Sequence, residues 1–189
     1  MRLGVLGGSF DPIRFGHLVL GEMAREQLGL DKVMYMPAGN QWRKEGRDVG
    51  AAEHRLAMVR LAVEGNSAFD VSSMEIDRDG RTYTVETLRQ LHAESPGVEI
   101  SFIVGADALA DMPHWKDPER IMELATVCVA GRRGEGSEVQ DERVTRIEMP
   151  EVGISSTGIR NRVKEGKSIK YLVPGAVEQY VRDKSLYAG

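Results

Sequence analysis

Arg2-Leu3-Gly4-Val5-Leu6-Gly7-Gly8-Ser9-Phe10-Asp11-Pro12-Ile13-Arg14-Phe15-Gly16-His17 joins a short apolar run to a polar turn and then to a helical pattern. Leu3 to Leu6 reads as a buried strand. From His17 to Leu28 the apolar residues Leu18, Leu20, Met23, Ala24 and Leu28 recur at helical spacing, and Gly29 can end that helix. Gly7 and Gly8 are expected to turn the backbone tightly and let a ligand approach it closely. The free N–H groups and positive dipole end at the start of the next helix favour an anion, so Gly16 and His17 place an imidazole beside a phosphate-favouring helix end. The turn lacks the Gly-Lys-Ser/Thr of a Walker A loop and does not follow a G-x-G-x-x-G dinucleotide fingerprint.

Outward from this turn the chain alternates short apolar runs with longer helical ones. Lys32 to Met36, Glu99 to Val104, Thr126 to Ala130 and Val144 to Met149 read as strands, and Phe69 to Ile76 reads as extended before a turn at Asp79-Gly80. Ala52 to Val63, Val85 to Leu91, Thr157 to Glu165 and Gly175 to Lys184 read as helices. Another helix is expected after Asp117, as cap, with Pro118 at its first position. This alternation predicts an α/β fold, a doubly wound parallel sheet in a single domain spanning residues 1–189. In such sheets ligands sit beyond the carboxyl ends of strands, which directs attention to the loops after Leu6, Met36, Val104 and Met149. The polar, Gly-rich stretch Gly131 to Glu142 is expected to be a surface loop.

Composition narrows the function. The 189 residues are 41% hydrophobic, enough for one domain with a full core. With 25 basic and 29 acidic residues the net charge is −4, which supplies no general basic field for a nucleic-acid backbone. A phosphate site must then be built from a few placed groups. Cys128 is the only cysteine, so neither an intramolecular disulfide nor a thiolate cluster can form, and its apolar surroundings predict a buried core residue. His54, His92 and His114 show no metal-ligand spacing. No apolar stretch reaches the ~18 residues of a membrane span, and the N-terminus lacks a signal-peptide pattern. A soluble cytoplasmic protein with no nucleic-acid or membrane partner is expected; whether it forms a homo-oligomer is not readable from the chain.

Gly7 to His17 resembles the signature G-G-S/T-F-D-P-x-H-x-G-H of bacterial nicotinate mononucleotide adenylyltransferases, within the wider H/T-x-G-H nucleotidyltransferase superfamily. Arg14 stands where that signature has its first histidine. Further segments agree: Asp79 to Leu88, Gly105-Ala106-Asp107-Ala108-Leu109 followed by Trp115, Ile154-Ser155-Ser156-Thr157-Gly158-Ile159-Arg160, and Tyr171-Leu172-Val173-Pro174. The resemblance covers almost the whole chain and implies a Rossmann-like nucleotidyltransferase fold. It also implies transfer of AMP from ATP to nicotinate mononucleotide, giving deamido-NAD and pyrophosphate, with Mg²⁺ entering on the ATP.

The same resemblance assigns residues. His17, Arg160 and Arg14 are the expected catalytic groups, with Arg160 as a fork-shaped clamp for the triphosphate. Gly8, Ser9, Phe10, Gly16, His17, Gly105, Asp107, Ile154, Ser155, Ser156, Thr157 and Arg160 are expected around ATP, with Asp107 on the ribose hydroxyls. Lys44 or Arg43 is expected on the acceptor phosphate. Thr82, Tyr83 and Thr84 are expected on the nicotinate carboxylate, and Trp115 under its ring. The departure at Arg14 leaves a second reading, a nucleotide-binding homologue with little or no catalysis, because arginine cannot act as an acid or base near neutral pH. Nicotinamide mononucleotide or another phosphate-bearing acceptor are the substrate alternatives.

Overall fold

Alternation of side chains along each apolar run decides which layer a residue joins. In the computed structural model, which describes residues 1–39, 49–132 and 141–188, β1 (Arg2–Gly8) sends Leu3 and Val5 into one apolar cluster and Leu6 into the other. In β4 (Glu99–Val104), Ile100, Phe102 and Val104 join the first of these clusters and Ile103 the second. The sheet is therefore buried on both faces, as parallel strands require.

The remaining strands are β2 (Lys32–Pro37), β3 (Phe69–Val71), β5 (Thr126–Arg132) and β6 (Thr145–Met149). All six are parallel in the order β3-β2-β1-β4-β5-β6. Leu6 of β1 lies between Tyr35 of β2 and Ile103 of β4. The chain winds outward through β2 and β3, then returns to the far side of β1, so the order reverses between β1 and β4. That reversal opens a crevice at the carboxyl ends of these two strands.

One face is covered by α1 (Phe15–Leu28), α2 (Ala52–Val63), α6 (Ser156–Lys164) and α7 (Gly175–Asp183), through Leu20, Met58, Ile159 and Val177. The other is covered by α3 (Thr84–Glu94) and α5 (Pro118–Leu124), through Leu88 and Ile121. The doubly wound sheet follows the strand–helix alternation of the sequence. No helix among the described residues is long and apolar enough to cross a membrane.

Four local expectations change. Gly7 and Gly8 stay extended at the end of β1; the turn is made instead by Phe10, whose left-handed backbone (φ 50°) folds its ring back under Gly8. The extended run expected through Ile76 stops at Val71. There the Ser72 and Ser73 hydroxyls bond the Met74 N–H and the Asp77 carboxylate, offering the chain a turn in place of a ladder. Asp117 takes the cap position of α5 ahead of Pro118, as expected, but its side chain makes no cap hydrogen bond: its backbone is left-handed (φ 50°) and its carboxylate pairs with Arg89 at 3.7 Å. A short helix, α4 (Ala106–Asp111), and a tight turn at Met112–His114 follow β4, where no helix was expected. Cys128 is fully buried as expected, and burial pushes its thiol up to about 11.

Candidate active site

The β1–α1 turn is stitched to the start of α6, which enters from the far end of the chain. The Arg160 Nη1 donates to the Asp11 carbonyl at 2.7 Å, and the Ser156 hydroxyl donates to the Pro12 carbonyl at 2.9 Å. Ser155 caps α6, its hydroxyl accepting the Gly158 N–H at 3.0 Å, and Thr157 accepts from Arg160 Nη2 at 3.3 Å. Ile154, just before, packs against the core. The starts of α1 and α6 are thereby brought side by side, both with first-turn N–H groups suited to anions.

His17 sits in the first turn of α1. Its Nδ1 accepts the Arg14 backbone N–H at 3.2 Å, and the Arg14 carbonyl accepts the His17 N–H at 2.9 Å. An acceptor Nδ1 puts the proton of the neutral ring on Nε2. The imidazole packs edge-on to Phe10 with centroids 5.1 Å apart. Burial, and secondarily the Arg14 charge, lower its pKa to about 3. Free His17 is therefore a neutral N–H donor at physiological pH.

Arg14 lies across Gly16, where a Cβ would overlap its Nη1, so glycine is needed for the guanidinium to pass. The Arg14 Nε is buried without a hydrogen-bond partner among the described residues. Burial lowers the guanidinium's affinity for its proton, yet the group stays charged across the accessible pH range.

Beneath this turn lies a network that sequence reading missed. Arg55, 4% exposed, donates to the carbonyls of Ser9 (2.9 Å), Ala38 (2.8 Å) and Gly50 (2.9 Å). It thus ties the β1 turn to both flanks of residues 39–49. Asp11, also 4% exposed, accepts the Tyr187 hydroxyl at 2.6 Å and the Gly50 N–H at 3.1 Å. One signal for Arg55 was available: it falls in phase with Met58, Val59 and Val63, so a charge occupies the buried stripe of α2. No local pattern marks Tyr187.

Across the crevice, Gly105 precedes α4, and a Cβ there would meet no atom within 4 Å. Asp107 is exposed one residue into α4, so it is not the helix cap. Thr82 is buried, Tyr83 takes the cap position of α3 without a side-chain cap bond, and Thr84 begins the helix. Trp115 is half-buried, edge-on to Phe102 at 6.3 Å, and its Nε1 donates to Asp111 at 3.0 Å. Lys116 joins these two elements: its Nζ lies 4.5 Å from the Tyr83 ring centroid and 2.6 Å from the Glu86 carboxylate. Arg43 and Lys44 lie outside the described residues.

A half-buried carboxylate, Glu75, supports this side. It accepts the Thr87 hydroxyl at 2.9 Å and the Gly39 N–H, and Arg78 bonds Thr87 and Gln90 behind it. Burial raises its pKa. His54 bonds Tyr180, His92 bonds the Leu124 carbonyl and His114 contacts Asp111, all structural contacts. Among the described residues no group of three or more His, Cys, Asp or Glu could hold a metal ion.

The model of the cytidylyltransferase-like family matches residues 5–162. A protein from Thermus thermophilus described as a probable nicotinate-nucleotide adenylyltransferase is 46% identical over 187 residues, covering 99% of this chain and 100% of its own. One of the same description from Corynebacterium kroppenstedtii is 44% identical, covering 98% and 90%. A solved structure of Plasmodium falciparum nicotinic acid mononucleotide adenylyltransferase, complexed with NaAD, shares the fold with a TM-score of 0.81 at 18% identity, over 98% of this chain and 97% of that one.

Proposed function

The chain belongs to the nicotinate-nucleotide adenylyltransferases, within the cytidylyltransferase-like family, and from that premise we propose that it transfers AMP from ATP to nicotinate mononucleotide, releasing pyrophosphate. In the reaction an acceptor phosphate oxygen bonds to the α-phosphorus of ATP while the bond to the β-phosphate bridge breaks. Both reactants are polyanions, so the protein's task is in-line placement and charge stabilisation. The observation that carries the assignment is the joining of the α1 and α6 starts through Arg160, Ser156 and the Asp11-Pro12 carbonyls.

ATP phosphates lie, in this reading, between those two starts, over Gly8, Ser9, Phe10 and Gly16. His17 donates its Nε2–H to them as a neutral ring. Arg14 and Arg160 supply fixed positive charge, and Ser155, Ser156 and Thr157 supply hydroxyl and N–H groups beside Ile154. The Nε of Arg14, buried without a partner among the described residues, supports its role as a phosphate ligand in place of the motif histidine. Gly105 leaves room for the ribose, whose hydroxyls meet Asp107.

The acceptor carboxylate takes the start of α3, with Thr82, Tyr83 and Thr84, and its ring stacks on Trp115. Arg43 or Lys44 meets its phosphate. Mg²⁺ arrives with the nucleotide, taking phosphate oxygens and water as ligands. Residues 1–189 act as one unit, placed in the cytoplasm. The test is pyrophosphate release from Mg-ATP with nicotinate mononucleotide. Steady turnover is expected; tight ATP binding with no release for any mononucleotide would overturn the reading.

A further inference from the structure

We propose that Tyr187 is a positioning residue for the triphosphate clamp, acting through Asp11 on Arg160; the proposal rests on the reading of Arg160 given above. Asp11 is out of water, so its carboxylate depends on fixed donors. The Tyr187 hydroxyl satisfies Oδ1 at 2.6 Å and the Gly50 N–H satisfies Oδ2 at 3.1 Å. The Arg160 Nη1 stands 3.7 Å from Oδ2, within ion-pair range but too far for a hydrogen bond. It donates instead to the Asp11 carbonyl at 2.7 Å. The guanidinium is held beside the carboxylate without being locked onto it, and it remains 26% exposed toward solvent.

The other cation close to Asp11 is Arg55, whose donors are committed to the Ser9, Ala38 and Gly50 carbonyls. Arg160 is held by the Asp11 carbonyl and, more weakly, by the Thr157 hydroxyl, but it is the partly exposed cation already in ion-pair range of the carboxylate, so it is the one that tilts onto it if Asp11 loses a partner. Without the Tyr187 hydroxyl, Oδ1 is left buried and underbonded, and Arg160 closes onto the carboxylate and away from the phosphates. The chain end is shaped for this contact. After α7 it doubles back through Ser185 and Tyr187, both in the sparsely populated left-handed region (φ 50° and 62°). The Leu186 N–H bonds the Val181 carbonyl at 2.9 Å and secures the turn. Burial, with the Asp11 bond, raises the phenol's pKa, so the hydroxyl stays a donor.

Tyr187→Phe removes only the hydroxyl. Affinity for α,β-methylene ATP, measured by calorimetry, and KM for ATP should both weaken about tenfold, while the acceptor KM moves less than about twofold. In an Arg160→Gln background the same change should have no further effect on analogue affinity. Equal rises for both substrates, unchanged analogue affinity, or an effect that persists without Arg160 overturns the proposal. If the unsubstituted protein binds the analogue but makes no pyrophosphate with nicotinate mononucleotide, the acceptor assignment fails, and the analogue arm still decides the role of Tyr187.

Discussion

At His17 burial outweighs the neighbouring charge in holding the ring neutral, with its pKa near 3. Arg14→Met removes the charge and leaves most of the burial. The His17 pKa should then rise, by NMR titration, yet stay below the ordinary 6.5. A return to the ordinary value would show that charge and not burial was dominant. The same variant should weaken ATP binding about tenfold, the usual order for a lost charged phosphate contact. His17 also sets an acid dependence. Between the unfolded-state value of 6.5 and about 3, the unfolded chain carries a proton that the folded chain refuses. Its contribution to stability is therefore complete above 6.5 and declines as pH falls through that window. Urea denaturation across this range should show a shallower acid loss in His17→Gln than in the unsubstituted chain.

Among the elements, α2 holds the first turn in place although it lies far from it in sequence. Arg55 spans from the Gly50 carbonyl to those of Ser9 and Ala38. Arg55→Met keeps much of the volume but strips donors from three carbonyls and a positive neighbour from buried Asp11. The expected loss is about 3 kcal/mol in denaturant unfolding, with a rise in KM for both substrates, since both flanks of residues 39–49 are released. A loss below about 1 kcal/mol would mean that water replaces the guanidinium at these carbonyls. The contrast between α2 and α3 is instructive. The Val85, Leu88 and Leu91 stripe of α3 is apolar and was readable directly. In α2 the stripe contains a charge, which periodicity registers only as an interruption.

For the whole molecule, the sheet brings the ends of β1, β2 and β4 and the start of α3 to one crevice; in the proposed reaction β1 and β4 would present the nucleotide side, and the β2 exit with the α3 start the acceptor side. A carboxylate at the α3 start gains charge-assisted hydrogen bonds that an amide does not. The ratio of kcat/KM for nicotinate over nicotinamide mononucleotide should be at least about a hundredfold; equal ratios would remove the assignment of Thr82 to Thr84. The sequence by itself determined the strand–helix alternation, the phosphate-favouring turn and the motif residues around it, because those depend on side-chain periodicity, local backbone and short spacings. Even there it misassigned the turn to Gly7 and Gly8, since the ring of Phe10 finds its place only once Gly8, His17 and Tyr35 surround it. Tertiary structure alone decided that Asp11 would meet Arg160 and Tyr187, and that Arg55 would bridge two loops through three carbonyls. A buried polar group must find a partner wherever the fold delivers one, and for Asp11 those partners lie 149 and 176 residues along the chain.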